Sequence, residues 1–560
     1  MKYPENELAQ IVIASCVANH VSDVVISPGS RNAPLTIGFN QVSEVNTYSI
    51  VDERCAAFVA LGMAQKTQKA TAMVCTSGSA LLNYYPAVAE AFYADIPLVV
   101  ISADRPKHMI DIGDGQTIRQ EGVFKNHILF EANLRAIKID EDKVYNKHLL
   151  FNALEIANKQ KGPVHINVPF DEPLYKMIDD LLVYPKVDRI EPQALSEQPL
   201  SQKQIEPIAE LWNTSKKKIV LLGVYQPSEL LQTQLNHLLK DPSVLVLTES
   251  TSNINHHHTI NSIDQFLAGL SEEEKLFFQP DILLTIGGLI VSKRIKQYLR
   301  AYKPKYHFAI HPKVGYDTFN CLSQHISVSP EFFFSQFFWL IKPVENDYQL
   351  QGLALKEKRK AAHQQYVENV QYSDFKVFDL LNNSLPSNTV LQLSNSATIR
   401  YAQLFDIDPT LSVFCNRGTS GIDGSTSTAI GYAMKTEQQV VLITGDLSFL
   451  YDSNALWNKS IPSNFRIILV NNNGGGIFKI LPGPKQTSSL SYFETPHGLN
   501  AEHLAKMYGF TYQKATNIRR TEKRLKTFYK ESKQPKILEV FTPSDHNDEV
   551  LNTYFEQLKV

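Results

Sequence analysis

Apolar residues in this chain fall into short unbroken runs, separated by longer stretches with helical spacing. Leu8 to His20 has the period of a helix, and Asp23 to Ser27 is a β-branched run closed by the turn Pro28-Gly29-Ser30. A strand ending near Val51 follows, then a helix opening around Glu53 and a strand at Ala72 to Cys75. A further helix precedes the strand Leu98 to Ser102. Strands that alternate with helices predict a parallel sheet covered by helices on its faces. Burial on both faces explains why runs such as PLVVISA do not alternate with polar residues.

The same rhythm returns twice. Strands are predicted at Lys218 to Leu222, Val244 to Thr248, Ile282 to Ile286 and His307 to Ile310. A third series comprises Val390 to Leu393, Val440 to Thr444, Ile467 to Val470 and Ile537 to Phe541. The Pro-, Ser- and Gln-rich stretch from Val183 to Gln204 reads as a linker, and Lys356 to His363 as part of a helix entering the third block. The fold class is therefore α/β, with three consecutive domains at 1–185, 200–345 and 365–560.

Composition adds mainly exclusions. A net charge of −2 gives no electrostatic case for nucleic acid or an anionic membrane. No apolar run approaches the ~20 residues that span a bilayer. The acidic Glu5 and Glu7 stand where a signal peptide carries positive charge. Five scattered cysteines form neither a disulfide framework nor a zinc motif, so a reduced cytoplasmic setting is expected. His256, His257 and His258 are contiguous, and contiguous histidines do not readily close around one metal.

The strongest chemical signal is TGDLSFLYDSNAL followed by FRIILVNNNGGGIF. Two apolar strands deliver Gly445-Asp446 and Asn471-Asn472 to their carboxyl ends, where open parallel sheets bind ligands. Asn472 lies 26 residues after Asp446. One carboxylate, one amide and one main-chain carbonyl make an incomplete oxygen shell, suited to Mg²⁺ whose other sites are filled by phosphate oxygens and water. Either segment alone is equally an ordinary strand-ending turn. The pair at this spacing favours the metal.

These segments resemble the metal–diphosphate motif of the thiamine-diphosphate enzyme family. The resemblance implies that Asp446, Asn472 and the carbonyl of Gly474 hold Mg²⁺ or Mn²⁺, with Pro28, Gly445, Ser448, Ser396 and Ile422 also against the cofactor. Many relatives read Gly-Asp-Gly, whereas Leu447 follows Asp446 here. The family also needs a glutamic acid beside N1′ of the aminopyrimidine, where it favours the imino tautomer whose 4′-nitrogen takes the C2 proton. Glu53, in SIVDERCAAFVALGMAQ, matches that position, although a glutamate there also simply suits a helix N-terminus. Ile422 would be the apolar wedge that bends the cofactor, or plain core.

SPGSRNAPLT, DERCAAFVALGMA, SADRP, NRGTSGIDGSTSTAIGYA, GDLSFLYD and NNNGGGIFKILP narrow the resemblance to family members of menaquinone biosynthesis. Such transferases decarboxylate 2-oxoglutarate and add the resulting acyl carbanion to isochorismate. By this resemblance Arg400 and Arg417 clamp the carboxylates from 2-oxoglutarate, and Ser30, Arg31, Arg105, Gln116, Lys293 and Arg294 face isochorismate. Phe478 and Leu481 form apolar walls. Two dianionic substrates require several fixed cations, preferably arginines. Related enzymes have Asn where Gly115 precedes Gln116, and serine where Cys55 stands; Cys55 reads as a packing residue.

The resemblance further implies a homodimer or a dimer of dimers with sites between subunits. An acetolactate-synthase-like carboligase or 2-oxo acid decarboxylase is the nearer alternative, but pyruvate needs fewer cations. A non-catalytic diphosphate-binding protein is the more distant one, and Glu53, Asp446 and Asn472 argue against it. No GxGxxG opens the first βα unit, which disfavours a dehydrogenase. The middle domain is expected to be mainly structural apart from Lys293 and Arg294.

Overall fold

The computed structural model describes residues 2–183, 198–480 and 483–559. Most of the expected linker, and Leu481, lie outside the described residues. The end of that linker is already helical, in Gln202–Thr214, because Ser201 and Gln204 form a reciprocal capping box.

Three six-stranded sheets, each parallel throughout, carry the fold. Numbered within its own domain, the N-terminal sheet has strand order 2-1-3-4-6-5, and the C-terminal sheet repeats it. The middle sheet runs 3-2-1-4-5-6, the doubly wound order of dinucleotide-binding folds. The order reverses between the first and third strands of the outer sheets and between the first and fourth strands of the middle one. That reversal opens a crevice at the strands' carboxyl ends.

In the C-terminal sheet the crevice lies between Val390–Leu393 and Val440–Gly445, which pair directly. Ser394 to Ser396 and Asp446 therefore leave neighbouring strands side by side. In the N-terminal sheet Asp23–Ile26 and Thr71–Cys75 flank the equivalent point. There a Cβ on Gly29 would lie 2.3 Å from the Cβ of Thr76, so the turn after the first strand requires glycine. In the middle sheet the crevice is closed by the backbone itself: a Cβ on Gly223 would sit 2.1 Å from the carbonyl oxygen of Gly288.

The outer domains are joined by two helices that are buried on nearly every side. Glu53–Thr67 buries every residue from Cys55 to Gln65, and Ser425–Ala433 is buried throughout. They cross backbone to backbone. A Cβ on Gly62 would lie 2.0 Å from the carbonyl oxygen of Thr428, and one on Gly431 would lie 2.0 Å from that of Val59. Small side chains permit this approach, and one apolar core then runs from Val25 in the first sheet to Ile537 in the third. Asp52 caps the first helix by accepting from the Cys55 N–H at 3.1 Å, which presents Glu53 at its first turn.

Candidate active site

Asp446 begins the helix Asp446–Tyr451 and is 3 % exposed. Its Oδ1 accepts from Leu447 N at 2.7 Å, and its Oδ2 accepts from Gly474 N at 2.9 Å. Nε2 of His497 lies 3.3 Å from the same Oδ2. Burial pushes this carboxyl above the usual carboxylate range, against the pull of those two amides and of His497.

Asn472 stands just beyond the neighbouring strand Phe465–Asn471. Its Nδ2 donates to Asp374 Oδ2 at 2.8 Å, while its Oδ1 is buried without any hydrogen-bond partner. The amide is thus held in one orientation with its oxygen free. The carbonyl of Gly474 accepts from Gly476 N at 3.0 Å and retains one lone pair. A φ of +146° at Gly474, with the Glu494 carbonyl 2.4 Å from where a Cβ would stand, explains the glycine.

A chain of contacts joins this motif to the predicted arginines. Ser448 donates to the Ile422 carbonyl at 3.0 Å. Asn395 donates to the carbonyls of Gly421 and Asn416 at 2.7 and 2.6 Å, and its Oδ1 accepts from Arg417 Nη1 at 2.7 Å. Ser396 follows, with φ +71° and ψ −124°. Side-chain-bearing residues rarely occupy that region, and holding one there costs about 1–3 kcal/mol. Such strain persists where the surrounding fold fixes a residue for use.

The charge of Arg417 reaches Arg400, and Nε of each is buried without a partner among the described residues. Burial lowers the pKa of Arg400, and the charge of Arg417 lowers it further, while Asp264 and Glu249 act in the opposite sense. Lys293 and Arg294 start the helix Lys293–Ala301, and Arg294 stacks 3.9 Å above the Phe555 ring. One turn on, Lys296 feels the same Arg400, Arg417 and Glu249 charges; burial is the main cause of its lowered pKa.

Sequence reasoning missed the two carboxylates behind this cationic wall. Glu249 is 4 % exposed and accepts from Val291 N at 2.8 Å and Ser292 N at 2.7 Å. Asp264 accepts from Ser292 Oγ. Both hold the turn that presents Lys293 and Arg294. Asn395, Lys296 and Asp374 were missed too; only NSATIR and SKRI, already singled out for their arginines, pointed near them.

On the N-terminal side, Arg31 is 5 % exposed, donates to the Phe170 carbonyl at 3.1 Å and pairs with Glu172 at 3.3 Å. Arg105 pairs with Asp114 at 3.4 Å and donates to the Gly115 carbonyl at 3.1 Å. Burial, then the charge of Arg105, lowers the Arg31 pKa, which places the two cations together. The backbone of Gly115 thus supplies a contact to Arg105. Ser30 and Gln116 are exposed, and Gln116 has φ +55°.

Glu53 accepts from Asn83 Nδ2 at 3.3 Å and lines a cavity of about 540 Å³ with Pro28, Val51, Asn454 and Trp457. None of Asp446, Asn472 and Ile422 lines that cavity. Among the described residues the predicted site therefore falls into two halves within one chain. Phe478 lies on the short helix Ile477–Ile480, its ring 5.5 Å from that of Phe493. Cys55 is fully buried, with its thiol pKa pushed up by burial and by Asp452, and so fits the packing reading. The three histidines converge more closely than expected, with ligand atoms within 4.8 Å of one another.

Models of known families match the chain in three consecutive pieces. Residues 6–128 match the N-terminal TPP binding domain of thiamine pyrophosphate enzymes, 191–393 their middle domain and 396–540 their C-terminal TPP binding domain. A Flavobacterium johnsoniae protein named 2-succinyl-5-enolpyruvyl-6-hydroxy-3-cyclohexene-1-carboxylate synthase is 52% identical over 560 residues, covering 100% of both chains. The chain belongs to the thiamine pyrophosphate enzyme family, among these synthases.

Proteins of the same name from Christiangramia forsetii and Porphyromonas gingivalis are 51% and 36% identical, over 100% and 96% of this chain and 100% and 94% of their own. The residues present fit the family's cofactor. Asp446 and the Oδ1 of Asn472, unpaired among the described residues, are hard oxygen donors of the kind a divalent cation would take. No helix among the described residues is long and apolar enough to cross a membrane.

Proposed function

We propose that the chain is a thiamine-diphosphate-dependent transferase that decarboxylates 2-oxoglutarate and adds the four-carbon remainder to isochorismate, releasing CO₂. One observation carries this reading. Arg417 connects through Asn395, Gly421, Ile422 and Ser448 to the Asp446 motif, and Arg400 lies within reach of its charge. Two guanidiniums beside the cofactor floor suit a donor with a second carboxylate. A pyruvate-specific carboligase has no use for them. The names of the relatives point the same way.

Asp446 and Asn472, with the Gly474 carbonyl, would hold Mg²⁺ or Mn²⁺. When bound, thiamine diphosphate supplies the nucleophilic carbon at which the 2-oxo acid loses CO₂. Glu53 would hold a proton at N1′ of the aminopyrimidine, and Ile422, Ser396, Gly445 and Pro28 would orient the rings. Arg400 and Arg417 would bind the donor. Ser30, Arg31, Arg105, Gln116, Lys293 and Arg294 would bind the acceptor, with Phe478 and Leu481 excluding water. The division into 1–185, 200–345 and 365–560 is the corresponding domain reading.

The same reading makes the working unit a homodimer or a dimer of dimers, with each site completed between subunits in a cytoplasmic setting. Its support is the open cavity at Glu53, rimmed by Val51 at 49% and Trp457 at 56% exposure. Exposed apolar residues around a functional cavity are suited to a second copy.

The test is isochorismate consumption with thiamine diphosphate, Mg²⁺ and either 2-oxoglutarate or pyruvate. Consumption with 2-oxoglutarate alone is expected. CO₂ release from pyruvate with isochorismate untouched would overturn the substrate assignment and keep the cofactor.

A further inference from the structure

A cavity of about 180 Å³ opens between the middle and C-terminal domains, away from the site described above. Its walls include Ser262, Lys356, Arg359, Lys360, Asp379 and Asp406. Arg359, on the helix Tyr348–Asn369, is only 2 % exposed, yet its Nε and Nη1 find no hydrogen-bond acceptor among the described residues. Removing a guanidinium from water is unfavourable unless an opposite charge or good acceptors replace the solvent.

The surrounding carboxylates do not supply that partner. Asp406 is taken by Lys360 at 2.9 Å and by Asn261, and Asp379 by Lys376 at 3.0 Å. Glu274 is the carboxylate whose charge reaches Arg359, but it forms no ion pair with it and instead accepts from Ser271 N at 2.8 Å. Lys356 adds a second cation, whose hydrogen bond among the described residues goes to the carbonyl of His257 at 2.9 Å. Among the described residues neither cation has a carboxylate in contact: Glu274 reaches Arg359, and Asp406 and Glu357 reach Lys356, through charge at a distance only. Ser262 contributes a buried hydroxyl that has no partner.

We propose that this cavity is a binding site for a small oxyanion, either inorganic phosphate or a short carboxylate, held by Arg359 with Lys356 and Ser262. The anion supplies the acceptor oxygens that the protein withholds from Arg359. The cavity wall includes Gln265 and Phe266 of the short helix Ile263–Phe266. Asp264 of that helix accepts from Ser292 Oγ at the turn that carries Lys293 and Arg294. The bound anion would therefore lie one element behind the cations assigned to the acceptor.

The experiment titrates the full-length protein, saturated with thiamine diphosphate and Mg²⁺, with inorganic phosphate or with succinate and follows thermal unfolding and binding heat. A saturable rise in transition temperature is expected. It should be weakened about ten-fold or more in Arg359→Met and measurably in Lys356→Met, but retained in Arg400→Met, which separates this site from the catalytic cations. In anion-free buffer Arg359→Met should melt no lower than the parent, because an unpartnered charge has been removed. Response to phosphate alone or to succinate alone names the oxyanion class. Absence of a saturable response to both, or an equal response in Arg359→Met, overturns the proposal. Should Arg359→Met fail to fold, an undiminished response in Lys356→Met overturns it instead.

Discussion

Asp374 takes the amide nitrogen of Asn472 and so leaves the buried Asn472 oxygen as the atom without a partner among the described residues. Asp374 is itself fixed by Thr542 Oγ1, which donates to it at 2.6 Å. Without this carboxylate the amide would be free to rotate and present either end. Asp374→Ala is expected to weaken Mg²⁺ activation roughly 10- to 100-fold, the usual loss when the partner that orients a metal ligand is removed. Turnover should recover at saturating Mg²⁺. A Mg²⁺ titration of activity checks this, and an unchanged midpoint with lowered turnover would contradict it.

Glu53 has one side-chain donor, Asn83, and an open cavity in front of it. Glu53→Gln retains the shape and removes the acid. Turnover should fall by about 10²- to 10⁴-fold, as for loss of a general acid–base group, while thiamine diphosphate still binds. Steady-state rates beside a cofactor-binding titration separate the two effects.

Arg400 should discriminate between donors. In Arg400→Met, the ratio of kcat/KM for 2-oxoglutarate to that for pyruvate is expected to drop roughly 10- to 100-fold, the value of one charge-assisted hydrogen bond. An equal loss for both donors would mean that Arg400 serves the fold instead of the carboxylate.

Glu249 links stability to pH. Burial raises its pKa from 4.5 to about 7, overcoming the Val291 and Ser292 amides and the Arg417 charge. A carboxyl whose folded pKa is raised contributes stability that is full below the unfolded value and is lost as pH climbs through the folded one. Glu249→Gln keeps an acceptor for the turn but cannot ionise. Its melting temperature should gain on the parent's between about pH 5 and about pH 8, and paired melts across that window test it.

The parts of the candidate site that the sequence singles out are those set by strand ends. Asp446, Asn472 and Glu53 each stand where an apolar run stops and a helix or glycine turn begins. Glu249, Asp264, Asn395 and Asp374 give no such signal, since their roles depend on partners distant in the chain; Asp374 and Asn472 are 98 residues apart. The fold shows a similar divide. Five of the six sheet strands left unread lie at sheet edges: Phe130–Asn133, Thr259–Ile260, Gln324–Ile326, Ser412–Cys415 and Thr511–Ala515. An edge strand is short or half-exposed and need not carry a long apolar run. The sixth, Val164–Pro169, is interior but hides His165 and Asn167 in hydrogen bonds with Ser102, which breaks its apolar pattern.

The crossing of Glu53–Thr67 over Ser425–Ala433 places two working parts on one bearing. Glu53 opens the first helix, and the loop bearing Arg417 and Ile422 runs directly into the second. Main chain touching main chain has no rotamers with which to absorb a change. A methyl group added at Gly62 or Gly431 must tilt one rod against the other, moving Glu53 and the loop of Arg417 in the same motion. Glycine at these two positions is thus a condition both for the packing of the two domains and for the placement of Glu53 relative to the loop of Arg417.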